Sequence, residues 1–309
     1  MNKFIKAGIA GLFLSLTAVV ASCGSSSETS SDTVAVTADV FPVTVGDLTI
    51  DAQPTRIISL SPTATEMLYA IGAGPQVVAV DEYSNYPAEA VALGTPLSGF
   101  EPNIEAISGY TPDLVIISYD PGSLVEQLST LDIPVFVAGA AMSIENVYEQ
   151  IEQLGVLTGN SQKAIEVSKT LQTGIEEAVA SVKFSEPPLS YYYELDNTYY
   201  SVTSNTFVGQ IFNLFGMRNI ADNVETGNDY PQLSAEVIVS ADPDFIFLAD
   251  TKCCAQDATT VAARDGWGGL KAVTANQVVE LDDDVASRWG PRVLELITAI
   301  RDAVAAANS

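Results

Sequence analysis

The sequence predicts an α/β protein in which two sister lobes are joined by one long, rigid helix. Three observations carry that reading. Between residues 160 and 183 apolar residues recur at Ala164, Val167, Leu171, Ile175, Ala178 and Val182, which makes one stripe on a helix of 3.6-residue period. On either side stand two stretches that echo each other, Glu105-Ala-Ile107 running into Pro112-Asp113 and Glu236-Val-Ile238 running into Pro243-Asp244, each followed by an apolar run of buried-strand type. Throughout, β-branched runs alternate with capped helical segments, the rhythm of a parallel sheet. Periodicity alone favours a crossover helix packed on a single sheet; the echo turns that helix into a strut between two halves.

The elements follow in order. Residues 1–22 read as an export signal: Lys3 and Lys6, an uncharged stretch from Ala7 to Val20, then Val20-Ala21-Ser22-Cys23. The apolar part is too short to span a bilayer comfortably. Residues 23–40, rich in Ser, Thr, Glu and Asp, predict a flexible tether. A first lobe is expected over 41–142, a helical segment including the bridge over 143–184, and a second lobe over 185–309.

Within the first lobe, Phe41 to Ile50 alternate as a short hairpin and Arg56 to Leu60 form a strand. A helix follows with Thr63 as its cap and Glu66 at the capping-box position. Further strands are predicted at Gln76 to Val80, up to Ser118, and at Ile133 to Val137, with helices near Ser123 to Leu131 and from Ser143 to Leu157. Asn160 or Ser161 is the expected cap of the long helix, and Gly174 within it costs about 1 kcal/mol relative to Ala. The second lobe repeats the scheme, with strands near Ser190 to Leu195, Asp244 to Ala249 and Gln277 to Leu281. Its helices are predicted near Thr206 to Phe215, Ser234 to Ser240, Thr259 to Arg264 and Pro291 to Ala306.

Composition excludes more than it assigns. The 309 residues hold 39 acidic and 13 basic side chains, a net charge of −26, and no histidine. Nucleic acid and anionic lipid surfaces are poor partners for such a chain, whereas cationic patches on another protein are good ones. Without histidine there is no Ser-His-Asp triad, Cys-His pair or histidine-rich metal site. No Gly-rich phosphate loop appears either. The reading is a non-enzyme with no cofactor and no metal; a carboxylate-assisted enzyme or a sensor is the alternative.

At Pro54-Thr-Arg56-Ile-Ile-Ser-Leu-Ser61-Pro-Thr-Ala-Thr-Glu66, Pro102-Asn-Ile-Glu105 and Pro112-Asp-Leu-Val-Ile, the chain resembles the substrate-binding proteins of ABC importers for iron complexes and cobalamin. The resemblance runs from about Phe41 to the C-terminus. It implies two Rossmann-like lobes on a rigid helix, the class III periplasmic-binding-protein fold, with ligand held between them. Val-Ala-Ser-Cys23 likewise resembles a lipobox, although Val20 and Ser22 depart from its usual residues. It implies a protein lipidated at Cys23 and anchored outside the cytoplasm, in the periplasm or on the outer face of the cell membrane.

The family docks on its permease and ATPase complex through one carboxylate per lobe, and Glu105 and Glu236 match those positions. Asn103 and Ser234 are good caps, which places each Glu in a first helical turn. Open α/β sheets bind ligands at the loops beyond strand ends. The candidates there are Tyr83, Tyr86, Phe100, Tyr199, Tyr200, Tyr230, Asp284, Arg288 and Trp289. Aromatic faces suit a large flat ligand, and an arginine suits a carboxylate, phosphate or amide edge. Within the family the chain is most similar to the cobalamin-binding proteins, through Tyr83-Ser-Asn-Tyr86-Pro, Tyr230-Pro-Gln-Leu-Ser234 and Arg288-Trp-Gly-Pro291-Arg292. There a tryptophan stands at the position of Tyr230. The ligand implied is a corrinoid or a ferric chelate, with haem or another flat cofactor as the alternative, carried by a monomer. Cys253 and Cys254 are adjacent and can close a vicinal disulfide that stiffens their loop or lies near the cleft.

Overall fold

The computed structural model describes residues 39–308; the export signal, Cys23 and the tether up to residue 38 lie outside the described residues. The alternating residues after Phe41 form the expected antiparallel hairpin, β1 (Val43–Val45) and β2 (Leu48–Ile50). The first lobe is then β3 (Ile57–Leu60), α1 (Pro62–Ala70), β4 (Val77–Val80), α2 (Ala88–Val91), α3 (Ile104–Gly109), β5 (Leu114–Ile117), α4 (Leu124–Ser129) and β6 (Val135–Val137). Helices α5 (Ile144–Thr158) and α6 (Ser161–Ala180) lead out of it. The second lobe is β7 (Ser190–Glu194), α7 (Phe207–Asn213), β8 (Arg218–Asn219), α8 (Ala235–Ala241), β9 (Phe245–Leu248), α9 (Ala258–Ala262), α10 (Lys271–Thr274), β10 (Val278–Glu280), α11 (Asp283–Ser287) and α12 (Val293–Ala307).

Each lobe holds a four-stranded parallel sheet, ordered β4-β3-β5-β6 in the first and β10-β9-β7-β8 in the second. Counted within its own lobe, each sheet places its first strand between its second and third. The two topologies are therefore the same. The sequence echo has a physical meaning as well. Thr111 and Asp242, the residues before each Pro-Asp, both turn with positive φ, 48° and 43°. The Asp that follows pins the neighbouring first strand: Asp113 accepts from the backbone N–H groups of Thr55 (2.7 Å) and Arg56 (2.9 Å), and Asp244 accepts from that of Ser190 (2.8 Å). Each carboxylate satisfies backbone donors that the parallel ladder leaves open at a strand start.

The bridging helix forms as its stripe predicts. Ala164, Leu171, Ile175 and Ala178 are buried, and Val167 and Val182 pack half-buried at the edge. Its cap differs. Ser161 N–H donates to the Asp39 carboxylate at 3.0 Å, while the Asn160 amide turns away to Gln76 and Thr158. Gly174 stands where α12 crosses, since a Cβ there would lie 2.8 Å from Leu294 Cδ2. Gly155 of α5 does the same for α6, with a Cβ only 2.4 Å from that of Ala164. Through these crossings one continuous apolar cluster joins Met67 and Leu68 of the first lobe, Leu154, Ala164 and Leu171 of the helices, and Phe212, Phe247 and Ile300 of the second. Each sheet's other face packs a separate cluster.

Helix α1 corrects one expectation. Its cap is Ser61, whose hydroxyl accepts from Ala64 N–H, because Pro62 fits the first helical position and starts the helix earlier. Glu66 is thus released from capping. Helices α2, α10 and α11 and the short strand β8 lie outside the elements the sequence predicts. Asp282 caps α11 by accepting from the Asp284 and Val285 N–H groups, and the acidic run Asp282-Asp283-Asp284 has no apolar periodicity to announce the helix.

Candidate functional site

In both lobes the strand order reverses between the first and third strands, and open parallel sheets bind ligands at that switch point beyond the carboxyl ends. In the first lobe the switch point lies open. A cavity of about 450 Å³ is lined by Leu60 and Ser61 at the end of β3, Asp81 after β4, and Ser118 and Tyr119 after β5, with Asp284, Ser287, Arg288 and Trp289 of the second lobe facing them. In the second lobe the corresponding place is filled. Glu194 at the end of β7 is fully buried and holds Arg264, which donates to it at 2.6 Å and lies over Tyr199 and Trp267.

Three aromatic rings form the mouth of the cavity. Tyr83 meets Phe100 edge-on, with centroids 5.4 Å apart, and Phe100 lies 6.3 Å from Tyr119. They are 53%, 62% and 44% exposed, too much apolar surface to be core. Tyr119 was not among the sequence candidates. Its signal was its place directly after the buried strand β5, at the switch point.

Arg288 does line the cavity, but its guanidinium is already engaged by the protein instead of standing open to a ligand's carboxylate, phosphate or amide edge. It donates to Glu66 Oε1 at 2.7 Å, to Asp284 Oδ1 at 2.7 Å and to the Tyr83 carbonyl at 3.1 Å. Arg292 adds a further approach to Glu66 Oε1 at 3.5 Å. This cluster ties the lobes together across the cleft floor, assisted by Asn85 donating to Asp284 and by Trp289 Nε1–H donating to Gln150. Burial raises the Glu66 pKa and outweighs the opposing pull of Arg288 and Arg292. Burial also works against ionised Asp284, but Lys252 and Arg288 prevail and hold that carboxyl below its ordinary value. Asp81, buried behind the mouth, accepts from Ser84; its pKa is raised by burial, which Ser84 only partly offsets. Arg288 is the single cation among the cavity-lining residues, and carboxylates already surround it.

The remaining candidates separate. Tyr86 turns away from the cleft beneath Arg292, which lies 4.5 Å from its ring centre. Tyr199 stacks on Trp267 and belongs to the second lobe's outer cluster. Tyr200 and Tyr230 are exposed near the backbone bridge between Tyr200 and Gln232, and neither lines the cavity. Cys253 and Cys254 are both free thiols, so the vicinal disulfide is not formed. Their loop is instead closed by hydrogen bonds, Cys253 N–H donating to Asp283 and Cys254 N–H to the Asp250 carbonyl. Glu105 and Glu236 stand exposed in the first turns of α3 and α8, capped by Asn103 and Ser234 as expected. The Glu236 carboxyl is held below its ordinary value by hydrogen bonds from its own backbone N–H and from Ser234. Among the described residues no group of three or more His, Cys, Asp or Glu side chains is placed to hold a metal.

A larger cavity, about 1130 Å³, lies behind Glu66 between α1 and α12. None of its walls is the carboxyl end of a strand, so it is not the switch-point cleft.

Two parallel-sheet lobes on one rigid helix, with an aromatic crevice at the strand ends, have the build of a solute-binding protein. Comparison with known proteins agrees: the chain belongs to the periplasmic binding protein family, whose model matches residues 57–285. It is 29% identical to an uncharacterised ABC transporter substrate-binding lipoprotein of Bacillus subtilis over 97% of both chains. It is 32% identical to a cobalamin-binding protein of Halobacterium salinarum, covering 85% of this chain and 74% of that one. The crystal structure of the periplasmic vitamin B12-binding protein of Vibrio cholerae superposes with a TM-score of 0.69 at 26% identity, covering 82% of this chain and 98% of the other. Among the described residues no helix is long and apolar enough to cross a membrane.

Proposed function

We propose that this protein is an extracytoplasmic binding protein, anchored by a lipid on Cys23, that captures a corrinoid between its lobes and delivers it to an ABC permease. It performs no chemistry of its own and acts as a monomer. One observation carries the ligand: the cleft is lined by Tyr83, Phe100, Tyr119 and Trp289, and its charged lining is two carboxylates, Asp81 and Asp284, with an arginine that Asp284 and Glu66 already neutralise. A corrin ring bears amide side chains, whose N–H groups suit carboxylate acceptors. Haem bears carboxylates, which such a lining repels, and the chain has no histidine to bind its iron. The cobalamin-binding protein of Halobacterium salinarum supports the same choice. Permease docking falls to Glu105 and Glu236, each exposed at the start of a short capped helix in matching positions of the two lobes.

Titration of the full-length protein with cyanocobalamin, haemin and a ferric hydroxamate, followed by tryptophan fluorescence, tests the ligand. Trp289 lines the cleft and Trp267 is buried away from it, so specific binding quenches part of the signal. Saturable binding of cyanocobalamin, tighter than that of haemin, is expected. Preference for haemin, or no saturation by cyanocobalamin, overturns the assignment.

A further inference from the structure

The larger cavity has a chemistry of its own. Its apolar wall is Tyr69, Pro75, Leu294 and Ala299, drawn from α1, the turn before β4, and α12. Gly74 shapes one side: a Cβ there would lie 2.7 Å from Tyr69 Cδ1, so glycine lets the tyrosine ring lie close against the turn. The charged residues of the lining are Glu66, Glu89, Glu295 and Asp302 against Arg292 alone, an excess of carboxylates around an apolar hollow. The single cation is already taken up, since Arg292 donates to Glu295 at 3.1 Å and lies over Tyr86. Independently, Glu66 is only 3% exposed, and while its Oε1 holds Arg288, its Oε2 has no hydrogen-bond partner. A buried carboxylate oxygen without a donor is costly to keep.

We infer that this cavity is a second binding site, separate from the cleft, for a small organic cation: an aromatic or aliphatic body against Tyr69, Pro75 and Leu294, with an ammonium or amidinium group drawn by Glu66, Glu89 and Glu295. Charge complementarity selects the occupant. Arg288, Arg292 and Arg301 already pair with Glu66, Glu295 and Asp302, so an anion meets the carboxylate excess and a neutral molecule leaves Glu89 without a counter-charge. The site is independent of what fills the cleft. Glu66 nevertheless belongs to the wall between the two cavities, holding Arg288 on the cleft side.

The test is isothermal titration of the full-length protein with three indoles of one shape: tryptamine, neutral tryptophol and anionic indole-3-propionate. Tryptamine is expected to bind about tenfold or more tighter than tryptophol, the worth of one charge-assisted hydrogen bond, with indole-3-propionate weakest. Thr298→Trp, which fills the cavity from α12 and lies outside the cleft, is expected to abolish tryptamine binding while leaving cyanocobalamin titration unchanged. Glu89→Gln is expected to weaken tryptamine and not tryptophol. Should Thr298→Trp fail to fold, the Glu89→Gln comparison and the ranking of the three indoles decide. Equal binding of tryptophol or indole-3-propionate, unaltered tryptamine binding in a folded Thr298→Trp variant, or no saturation by tryptamine overturns the inference.

Discussion

Replacing Asp250 by Asn should make the protein more stable at alkaline pH and leave it unchanged in acid. Asp250 follows β9 with no exposed surface, and neither carboxylate oxygen has a hydrogen-bond partner. Burial first, then the charge of Glu194, raise its pKa from 3.8 to about 7, with Arg264 pulling the other way. The folded chain therefore holds a proton that the unfolded chain has released between these two values. Stability contributed by that proton is present below the unfolded pKa and declines as pH rises through the folded one. The separation of about three pH units corresponds to about 4 kcal/mol at most, at 1.36 kcal/mol for each. Asn keeps the shape and stays neutral at every pH. At roughly 2–4 °C per kcal/mol, its melting temperature should exceed the parent's by roughly 10 °C at pH 8, and the two should converge near pH 4. Calorimetric scans of both proteins from pH 4 to pH 8.5 measure this, and only the difference between them matters, since other carboxylates titrate in both. A constant offset across the range, or a less stable variant at pH 8, would refute the reasoning.

Three further outcomes are expected. Arg288→Ala should lower stability by about 3–5 kcal/mol by taking from buried Glu66 its nearest counter-charge and leaving only Arg292 at 3.5 Å; the double change with Glu66→Gln should recover part of that loss in denaturant titrations. The pair Glu105→Ala with Glu236→Ala should abolish import into vesicles carrying the permease while leaving ligand affinity unaltered, and surviving transport would remove their docking role. Gly155→Ala should destabilise by about 1–3 kcal/mol despite a helix-propensity gain of about 1 kcal/mol, because the new methyl group meets Ala164 at 2.4 Å; a stabilised variant by thermal melting would show that α5 and α6 can move apart.

What could be read from the chain alone follows a physical line. Periodicity reports burial, so the strut, the parallel strands and the caps at Asn103 and Ser234 were all legible. The twofold echo was legible because each Pro-Asp performs the same backbone task. Partners were not legible. Arg288 and Glu66 lie 222 positions apart, and nothing local to either announces the other. Read locally, Glu66 is therefore a capping residue and Arg288 a partner for a ligand's carboxylate, phosphate or amide edge. Aromatic candidates divided for the same reason: sequence places a tyrosine on a loop, but only packing decides whether it faces the cleft, as Tyr83 does, or lies under Arg292, as Tyr86 does.

The apolar spine through α5, α6 and α12 has a consequence for delivery. Lobes fused along a shared spine have little room to swing, so on the proposed function a loaded and an empty molecule present almost the same outline to the permease. Discrimination between them then rests on chemistry at the rim rather than on shape. Phe100, two residues before the proline that leads into α3, stands where a transporter seated on Glu105 would sense whether the mouth is filled.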